Sequence, residues 1–422
     1  MIETIQLTAG VVLRHCPDSR FKKGALSIQL LRPMCEEESA LNALLPAVLL
    51  RGTARHPDLK SITEHLDELY GASIGTLVRR IGDIQTVGFY LSFMEDRFAL
   101  EGDGILEPMI GFLEETLLQP KLEGDLLPSD FVESEKRNLI STIESELNDK
   151  RSYAAGQLLR RMCVGDSFAV PRLGRAEAVE RITPRSLTAH YSRILRCSPV
   201  EIFYVGAAAP AHVAALLMPL ARALAARPEQ MPEQTVFVPR AEPSTFSEEM
   251  DLAQSKLCMG FVSGITNRSP DFAAMQVFNA VYGGGMTSKL FVHVREKLHL
   301  CYYVGSAYYG SKGIVTVSCG MDARDYHRAK EEILEQLASA ARGEISAEEL
   351  DRAKQAILSS LRGTPDSPGA LESFYGTAGV SGMPWDIPEY MDRIQAVTVQ
   401  DVARVAGQVR LHTEFLLRGV GA

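Results

Sequence analysis

The sequence predicts an α+β protein made of two similar domains, and three observations lead to this prediction. The chain has 422 residues, which is more than a single hydrophobic core usually organises. Its two halves show the same order of predicted helices and strands. Between them lies a proline-rich stretch, residues 228–244, with the composition of a linker. We therefore predict an N-terminal domain over residues 1–227 and a C-terminal domain over residues 245–422.

The first half contains, in order, two helices, two strands, two further helices and a closing helix–strand pair before an alanine-rich helix. The second strand alternates apolar and polar residues and is rich in aromatic residues, which is typical of a half-buried strand. The elements are predicted at residues 40–51, 61–70, 73–80, 84–93, 105–118, 131–147, 182–196, 200–205 and 211–226.

The second half repeats this order. Three glycines, Gly283 to Gly285, separate its first two helices, and we expect them to supply positive φ angles to a sharp turn. Thr183 and Thr398 precede the closing helix of each half and are predicted to be N-caps. The elements are predicted at residues 272–282, 288–297, 301–308, 314–319, 326–341, 347–362, 397–409 and 412–417.

The composition limits the classes of partner. The formal charge of −9 comes without a basic stripe, which argues against nucleic-acid binding. No apolar run approaches the roughly 18 residues that a membrane span needs. The N-terminal residues lack the pattern of a secretory signal, so we expect a cytoplasmic protein. The seven cysteines are scattered without a C-x-x-C pair, as expected for reduced thiols.

The apolar helix of the first half carries an informative substitution. Residues 42–53 read NALLPAVLLRGT, which resembles the zinc-binding helix of the M16 (pitrilysin-like, inverted zincin) metallopeptidases. In that family the helix carries H-x-x-E-H and ends in Gly-Thr. Alignment on Gly52-Thr53 places Ala43, Pro46 and Ala47 at the first histidine, the catalytic glutamate and the second histidine. None of the three can bind zinc or accept a proton, and Pro46 is expected to kink or restart the helix.

The segment that would carry the third zinc ligand is also altered. Residues 133–143 read ESEKRNLISTI and resemble the corresponding M16 segment. In this alignment Glu135 keeps a supporting glutamate, and Thr142 occupies the ligand position. A threonine hydroxyl is a poor zinc ligand. The alternative role for Glu133 and Glu135 is to cap the helix, to be solvated, or to pair with Lys136 and Arg137.

A second motif of the family is retained in the other half. Residues 294–304 read VREKLHLCYYV and resemble the M16 C-terminal motif R-E-x-x-x-L-x-Y. The resemblance places Arg295 and Tyr302 at the pair that holds the substrate backbone and stabilises the oxyanion. The preceding GGGMTSK and Leu290-Phe291 match the same pattern, and the glycine loop is not a phosphate-binding P-loop. The alternative is an ion pair between Arg295 and Glu296, with Tyr302 in a sheet core.

The resemblance covers nearly the whole chain, and it implies a fold. Two homologous domains would each have a mixed, mostly antiparallel sheet covered by helices, as in LuxS and the mitochondrial processing peptidase. It also implies a non-catalytic M16B-type subunit. Such a chain would pair with an M16 chain that has an intact H-x-x-E-H motif and would help to bind a peptide substrate. This chain would bind no cofactor, and zinc would be in the partner; a homodimer of the isolated chain is plausible.

Two other functions remain open on the sequence alone. The chain could be a non-enzymatic scaffold or peptide-binding protein in a modification or export system, and a neighbouring gene for an intact M16 chain would argue against that. It could also be an enzyme with a cysteine nucleophile, for which Cys301 is the candidate. No histidine partner is identifiable for Cys301, and packing as a small apolar residue is the simpler account.

Overall fold

The computed structural model describes residues 2–100, 102–239 and 242–419. Strands in this part of the chain are β1 Glu3–Thr8, β2 Val11–Pro17, β3 Lys23–Pro33, β4 Ser73–Ile81, β5 Ile84–Met94, β6 Val200–Gly206, β7 Ser244–Met250, β8 Ser255–Val262, β9 Tyr303–Tyr309, β10 Ile314–Met321 and β11 Arg410–Gly419.

The strands alternate with helices along both halves of the chain. The α-helices are α1 Glu36–Leu49, α2 Leu59–Glu68, α3 Leu106–Leu118, α4 Ser129–Asn148, α5 Lys150–Met162, α6 Ala176–Glu180, α7 Pro184–Cys197, α8 Pro210–Ala223, α9 Phe272–Tyr282, α10 Tyr326–Ala341, α11 Ala347–Gly363, α12 Pro368–Ser381, α13 Ile387–Ala396 and α14 Val399–Ala406. A π-helical segment covers Phe291–Lys297.

The chain forms two compact units. The first contains the residues up to Glu144 together with Val170–Glu233 and Pro365–Val380. The second contains Ser145–Ala169, Gln234–Thr364 and the residues from Ser381 onward. The domain bounds 1–227 and 245–422 remain a prediction, because they describe where the order of elements repeats in the sequence. The compact units differ from them because α5 belongs to the second unit and most of α12 to the first.

The first unit has a six-stranded sheet in the order β1-β2-β6-β3-β5-β4. Only β2 and β6 are parallel, and the other neighbouring strands are antiparallel. On the central strand β3, Leu26, Ile28 and Leu30 belong to the main hydrophobic core, which also includes residues of α1, α3 and α7. Ser27 and Gln29 alternate with them and face the other side of the sheet.

The second unit repeats this topology without the first strand. Its order is β7-β11-β8-β10-β9, with β7 and β11 parallel and the remaining pairs antiparallel. Strand by strand, this sheet corresponds to β2-β6-β3-β5-β4 of the first unit. The predicted α+β fold with two mixed, mostly antiparallel sheets covered by helices is therefore confirmed.

Helix α12 covers the polar face of the first sheet. Its Glu372 is 1% exposed and accepts hydrogen bonds from Ser27, Gln29 and Arg79. Both carboxylate oxygens bind the Arg79 guanidinium, at 3.0 and 2.8 Å. A buried carboxylate is stable only with such partners, so this one contact set explains why α12 packs within the first unit.

Helix α5 has the equivalent place in the second unit. It packs on β8 and β11 through an apolar cluster. The members of this cluster are Ala154, Leu158, Cys258, Phe415 and Leu417. Each half of the sequence therefore contributes one helix to the unit built mainly from the other half.

The two predicted N-caps are present. Thr183 accepts a hydrogen bond from the Ser186 amide at 3.2 Å, and the Ser186 side chain binds back to Thr183. Thr398 and Asp401 form the same reciprocal capping box at the start of α14. Each cap satisfies amide groups that the first helical turn leaves without partners.

We expect Thr183→Ala to lower the free energy of unfolding by about 1 kcal/mol, because the first turn of α7 loses the oxygen that accepts the Ser186 amide. Urea unfolding followed by circular dichroism measures the change. Ser192→Ala, at an exposed position of the same helix, is the control and should stay within about 0.5 kcal/mol of the parent. Equal losses for both variants would contradict the role of the cap.

Candidate functional site

Helix α1 carries no group with metal-binding chemistry at the three motif positions. Ala43 and Pro46 are buried, and Ala47 is partly exposed. α1 packs against β4 and β5 of the first sheet and against α7. A methyl group or a pyrrolidine ring at these positions offers neither a lone pair for zinc nor a base for water.

Of the two outcomes expected at Pro46, a kink or a restart of the helix, the restart is wrong. The helix continues from Glu36 to Leu49, and the Leu50 amide donates to the Pro46 carbonyl at 3.1 Å. Pro46 cannot donate to the preceding turn, so one helical hydrogen bond is missing. Burial of ten residues of α1 holds the helix together despite that loss, as tertiary packing commonly does.

Pro46 also lines a small apolar cavity. The volume is about 10 Å³, close to the space of one water molecule, and the walls are apolar side chains of the core. The lining residues include Leu30, Leu45, Val87 and Tyr191. A void of this size and polarity has no room for a ligand and is a packing feature of the core.

Thr142 does not complete a metal site either. Its hydroxyl is exposed and donates to the Asn138 carbonyl at 2.9 Å, one turn earlier on α4. Glu135 lies 3.4 Å from the Arg51 guanidinium and accepts a hydrogen bond from Asn138, while Glu133 pairs with Lys136 at 3.0 Å. These contacts agree with structural roles for Glu133 and Glu135, although Glu135 pairs with Arg51 instead of the expected neighbours.

No group of three histidine, cysteine, aspartate or glutamate side chains in the described ranges 2–100, 102–239 and 242–419 could hold a metal ion. No helix within those same ranges is long and apolar enough to cross a membrane.

We expect the double variant Ala43→His, Ala47→His to remain free of zinc. Ala43 is 8% exposed, so an imidazole there has to displace packed atoms, and the hydroxyl at Thr142 cannot replace a carboxylate ligand. Equilibrium dialysis with elemental analysis measures bound zinc, with the parent chain as control. One zinc per chain at micromolar free metal would contradict the prediction.

The segment that carries Arg295 follows the turn formed by Gly283 to Gly285. The prediction that these glycines supply positive φ angles is wrong. Gly283 has no positive φ angle. A Cβ on Gly283 would lie 2.6 Å from the Ser306 amide nitrogen of β9, and one on Gly284 would lie 2.8 Å from the Ala280 Cα. The glycines therefore allow close approach of two backbones, not a left-handed turn. Ser288 then caps the turn by donating to the Gly285 carbonyl at 2.6 Å.

Arg295 lies on the π-helical segment and is half-exposed. Its side chain is 42% exposed, lies over the Phe291 ring at 4.7 Å, and is 3.7 Å from the Glu296 carboxylate. The π-helical turn is rare and occurs frequently at functional sites. The pairing with Glu296 is the alternative that the sequence left open, but both partners are exposed and such pairs contribute little.

Tyr302 lies at the start of the edge strand of the second sheet. Its amide donates to the Gly320 carbonyl at 2.8 Å, and its side chain is directed outward with 54% of the residue exposed. The hydroxyl donates to the Asp322 carboxylate at 3.1 Å, and this hydrogen bond raises the pKa of the phenol. The alternative position in a sheet core does not fit this exposure.

The neighbouring tyrosines are less accessible. The cationic groups of Arg151 and Lys256 lie 4.5 and 5.5 Å from the centre of the Tyr303 ring. Tyr308 donates to the Ile265 carbonyl and packs against Phe272. Of Tyr302, Tyr303 and Tyr308, Tyr302 is therefore the residue most open to a ligand.

Sequence reasoning missed Asp322, Arg151 and Lys256. Asp322 lies 20 residues from Tyr302, and the antiparallel pairing of β9 with β10 brings them together. Arg151 reaches Tyr303 because α5 packs on the second sheet. A β9–β10 register drawn from the two predicted strands would have indicated Asp322, whereas no local pattern reveals the position of α5.

The fold and site together define a duplicated metallopeptidase-like protein with a degenerate metal helix, and comparisons with known proteins agree. The family described as "Peptidase M16 inactive domain" matches residues 181–357. "Probable inactive metalloprotease YmfF" of Bacillus subtilis is 29% identical over 413 residues, covering 98% of this chain and 96% of the relative.

Two solved structures share the fold across the whole chain. A conserved protein from Enterococcus faecalis V583 has a TM-score of 0.90 at 27% identity, covering 100% of this chain and 99% of that one. A peptidase M16 inactive domain from Pseudomonas fluorescens has a TM-score of 0.82 at 20% identity, covering 99% and 98%. In sequence and fold the chain is thus an inactive M16-like metallopeptidase homologue, and it lacks the H-x-x-E-H motif.

Proposed function

We propose that this chain is the non-catalytic subunit of a two-chain M16 zinc peptidase. A partner chain with an intact H-x-x-E-H motif supplies the zinc and the general base. This chain supplies Arg295 and Tyr302, which hold the substrate backbone and stabilise the transition state. The active particle is a heterodimer, and we place it in the cytoplasm.

The observation that carries the proposal is the contrast between the two units. Ala43, Pro46 and Ala47 leave no zinc ligand and no general base at the three motif positions of α1. Arg295 and Tyr302 remain, and both are open to solvent in the second unit. Tyr302 is exposed, and the ion pair of Arg295 with Glu296 is solvent-exposed and weak. Both side chains are therefore available to an incoming ligand.

The chemistry of the pair fits stabilisation of negative charge. A guanidinium stays protonated throughout the physiological pH range and presents fixed N–H donors. The Tyr302 hydroxyl donates a hydrogen bond to Asp322 in the free chain, so it can donate to another oxygen when substrate is bound. Donors aimed at the developing oxyanion each contribute a few kcal/mol to catalysis.

Strand β9 supports a role in holding an extended peptide. Of the strands that the structure describes, β10 alone pairs with β9, so β9 lies at an edge of its sheet. A peptide that adds to such an edge is held by main-chain hydrogen bonds, which tolerates many side chains. Tyr302 immediately precedes β9 and would contact the end of the added strand.

Assembly with an intact M16 chain tests the proposal. The chain is mixed with the M16 product of a neighbouring gene, and native mass spectrometry determines the composition. We expect one copy of each chain to replace any homodimer of the isolated chain, because duplicated domains present similar surfaces. Persistence of separate species at micromolar concentration would contradict the heterodimer and favour a scaffold or peptide-binding protein.

A further inference from the structure

Strand β7 forms the edge of the second sheet at the end opposite β9. Among the strands that the structure describes, β11 is the only one that pairs with β7. The side chains of residues 244–247 and of Glu249 are exposed. An edge strand of this kind presents backbone N–H and C=O groups to which a further strand can bind.

The first sheet contains a strand at the place that no described strand takes in the second. There β1 pairs in antiparallel orientation with β2, and β2 runs parallel to β6. In the second sheet β7 and β11 form the same parallel pair, and β7 corresponds to β2. By this comparison, the strand that fits beside β7 is antiparallel to it.

The face of β7 towards α5 carries an acidic side chain and lies beside a basic one. Glu248 accepts a hydrogen bond from the Tyr153 hydroxyl of α5 at 2.7 Å. The Arg161 guanidinium of the same helix lies 5.3 Å from the centre of the Phe246 ring. Phe246 and Glu248 are two residues apart, so both point to this face.

Arg161 lies at this edge with no acidic group among its described contacts. It donates a hydrogen bond to the Gln157 side chain at 2.8 Å, and it lies over the rings of Phe246 and Phe415. A carboxylate brought beside Phe246 would therefore meet a cation that is already in position.

We propose that two copies of this chain pair through β7 in antiparallel orientation, with Ser247 of each copy opposite its counterpart on a two-fold axis. Ser247 is the central residue of β7, which runs from Ser244 to Met250, so this register pairs all seven residues. Two sheets of five strands then form one sheet of ten. The inference concerns the isolated chain and is independent of the proposed function.

The charges on the α5 face favour this register. Glu248 of one copy lies opposite Phe246 of the other, next to the Arg161 that lies over that ring. Two-fold symmetry forms this contact twice. An axis at Glu248 would place two glutamates opposite each other, and an axis at Phe246 would leave Glu248 opposite Ser244. Either alternative pairs only five residues of the strand.

Helix α5 leaves space for the second copy. It packs on β8 and β11, and β11 lies one strand inward from β7. In the joined sheet, three strand spacings separate the two copies of β11, which is about 14 Å. Packed helices are about 8–10 Å apart, so the two α5 helices do not collide.

Sedimentation equilibrium of the isolated chain tests for the dimer. The chain is measured at concentrations from about 1 to 100 µM, the range expected for an interface of one strand pair and two ion pairs. We expect the weight-average mass to rise from that of one chain to that of two. A chain that remains a monomer at the highest concentration would overturn the proposal.

A cysteine on the two-fold axis tests the register. Opposite Cα atoms of an antiparallel pair are about 4.5–5.5 Å apart, within the reach of a disulfide. Ser247→Cys should therefore give a disulfide-linked dimer under mild oxidation, against the background of the parent with its seven native cysteines. Thr245→Cys is the matched control on the same face, because its two copies would be about 14 Å apart. Cross-linking of Thr245→Cys, or of neither variant, would overturn the register.

Charge reversal tests the contact between Arg161 and Glu248. Arg161→Glu and Glu248→Arg should each weaken the dimer about tenfold, because each variant brings like charges together twice. The double variant should recover most of the parent affinity. Arg352→Glu, on α11, which packs on α9 and α13, makes the same change in net charge and should dimerise like the parent. Equal dimerisation of Arg161→Glu and the parent would overturn the assigned contact.

Discussion

Arg295→Ala should lower turnover of the proposed two-chain peptidase about 10²-fold without preventing assembly. Loss of one donor to an oxyanion typically costs 10²–10³ in rate. The fold should survive because the Arg295 side chain contacts only Phe291 and Glu296 of its own helical segment among the contacts described, and it is 42% exposed. Peptide hydrolysis under saturating and subsaturating substrate separates the effects on kcat and KM.

Arg352→Ala is the matched control for this prediction. Arg352 also pairs with a glutamate of its own helix, and its side chain is 52% exposed, so it resembles Arg295 in charge, ion pairing and exposure. We expect its kinetics to equal those of the parent complex. Unchanged kinetics of Arg295→Ala, measured in a complex of normal composition, would refute the role assigned to Arg295.

The second large effect concerns stability at acid pH. The His190 Nε2 lies 2.7 Å from the Asn42 Oδ1, and Asn42 in turn donates to Gln85 at 2.9 Å. His190 is buried, and burial lowers its pKa to about 4. Neutral His190 makes its full contribution to the free energy of unfolding above pH 6.5, the approximate pKa of histidine in the unfolded chain. That contribution is lost as the pH falls from there to about 4.

We expect this histidine alone to remove about 3 kcal/mol of unfolding free energy between pH 7 and pH 4. Urea unfolding at a series of pH values measures the profile. His190→Gln keeps an N–H donor for Asn42 and should flatten the profile by that amount. His212→Gln, at an exposed position on α8, is the control and should follow the parent. Identical profiles for His190→Gln and the parent would contradict the prediction.

Local patterns predicted much of the fold because the relevant signals are short-range. The predicted strands at 73–80 and 84–93 correspond to β4 and β5, and the helix at 326–341 is α10. Capping residues marked the starts of α7 and α14 for the same reason. The exchange of α5 and α12 between the two units was not predictable, because tertiary packing decides which sheet a helix covers.

Site residues that belong to one contiguous motif could be predicted from the sequence. Site residues that are far apart along the chain could not. Arg295 and Tyr302 are seven residues apart and share one motif, so the sequence alone identified both as candidate site residues. Asp322 reaches the same region only through the pairing of β9 with β10. At Pro46 the local signal misled, because proline in a helix predicts a break. The helix α1 is nevertheless continuous, since burial of its residues outweighs the lost hydrogen bond.

Hydrolysis of a quenched fluorescent peptide library tests the central claim most directly. The library is incubated with the neighbouring H-x-x-E-H chain alone, with this chain alone and with both together. The account predicts hydrolysis only when both chains are present, and its loss when a zinc chelator is added. A stable complex of the two chains that cleaves no peptide would contradict the account and identify this protein as a scaffold or peptide carrier.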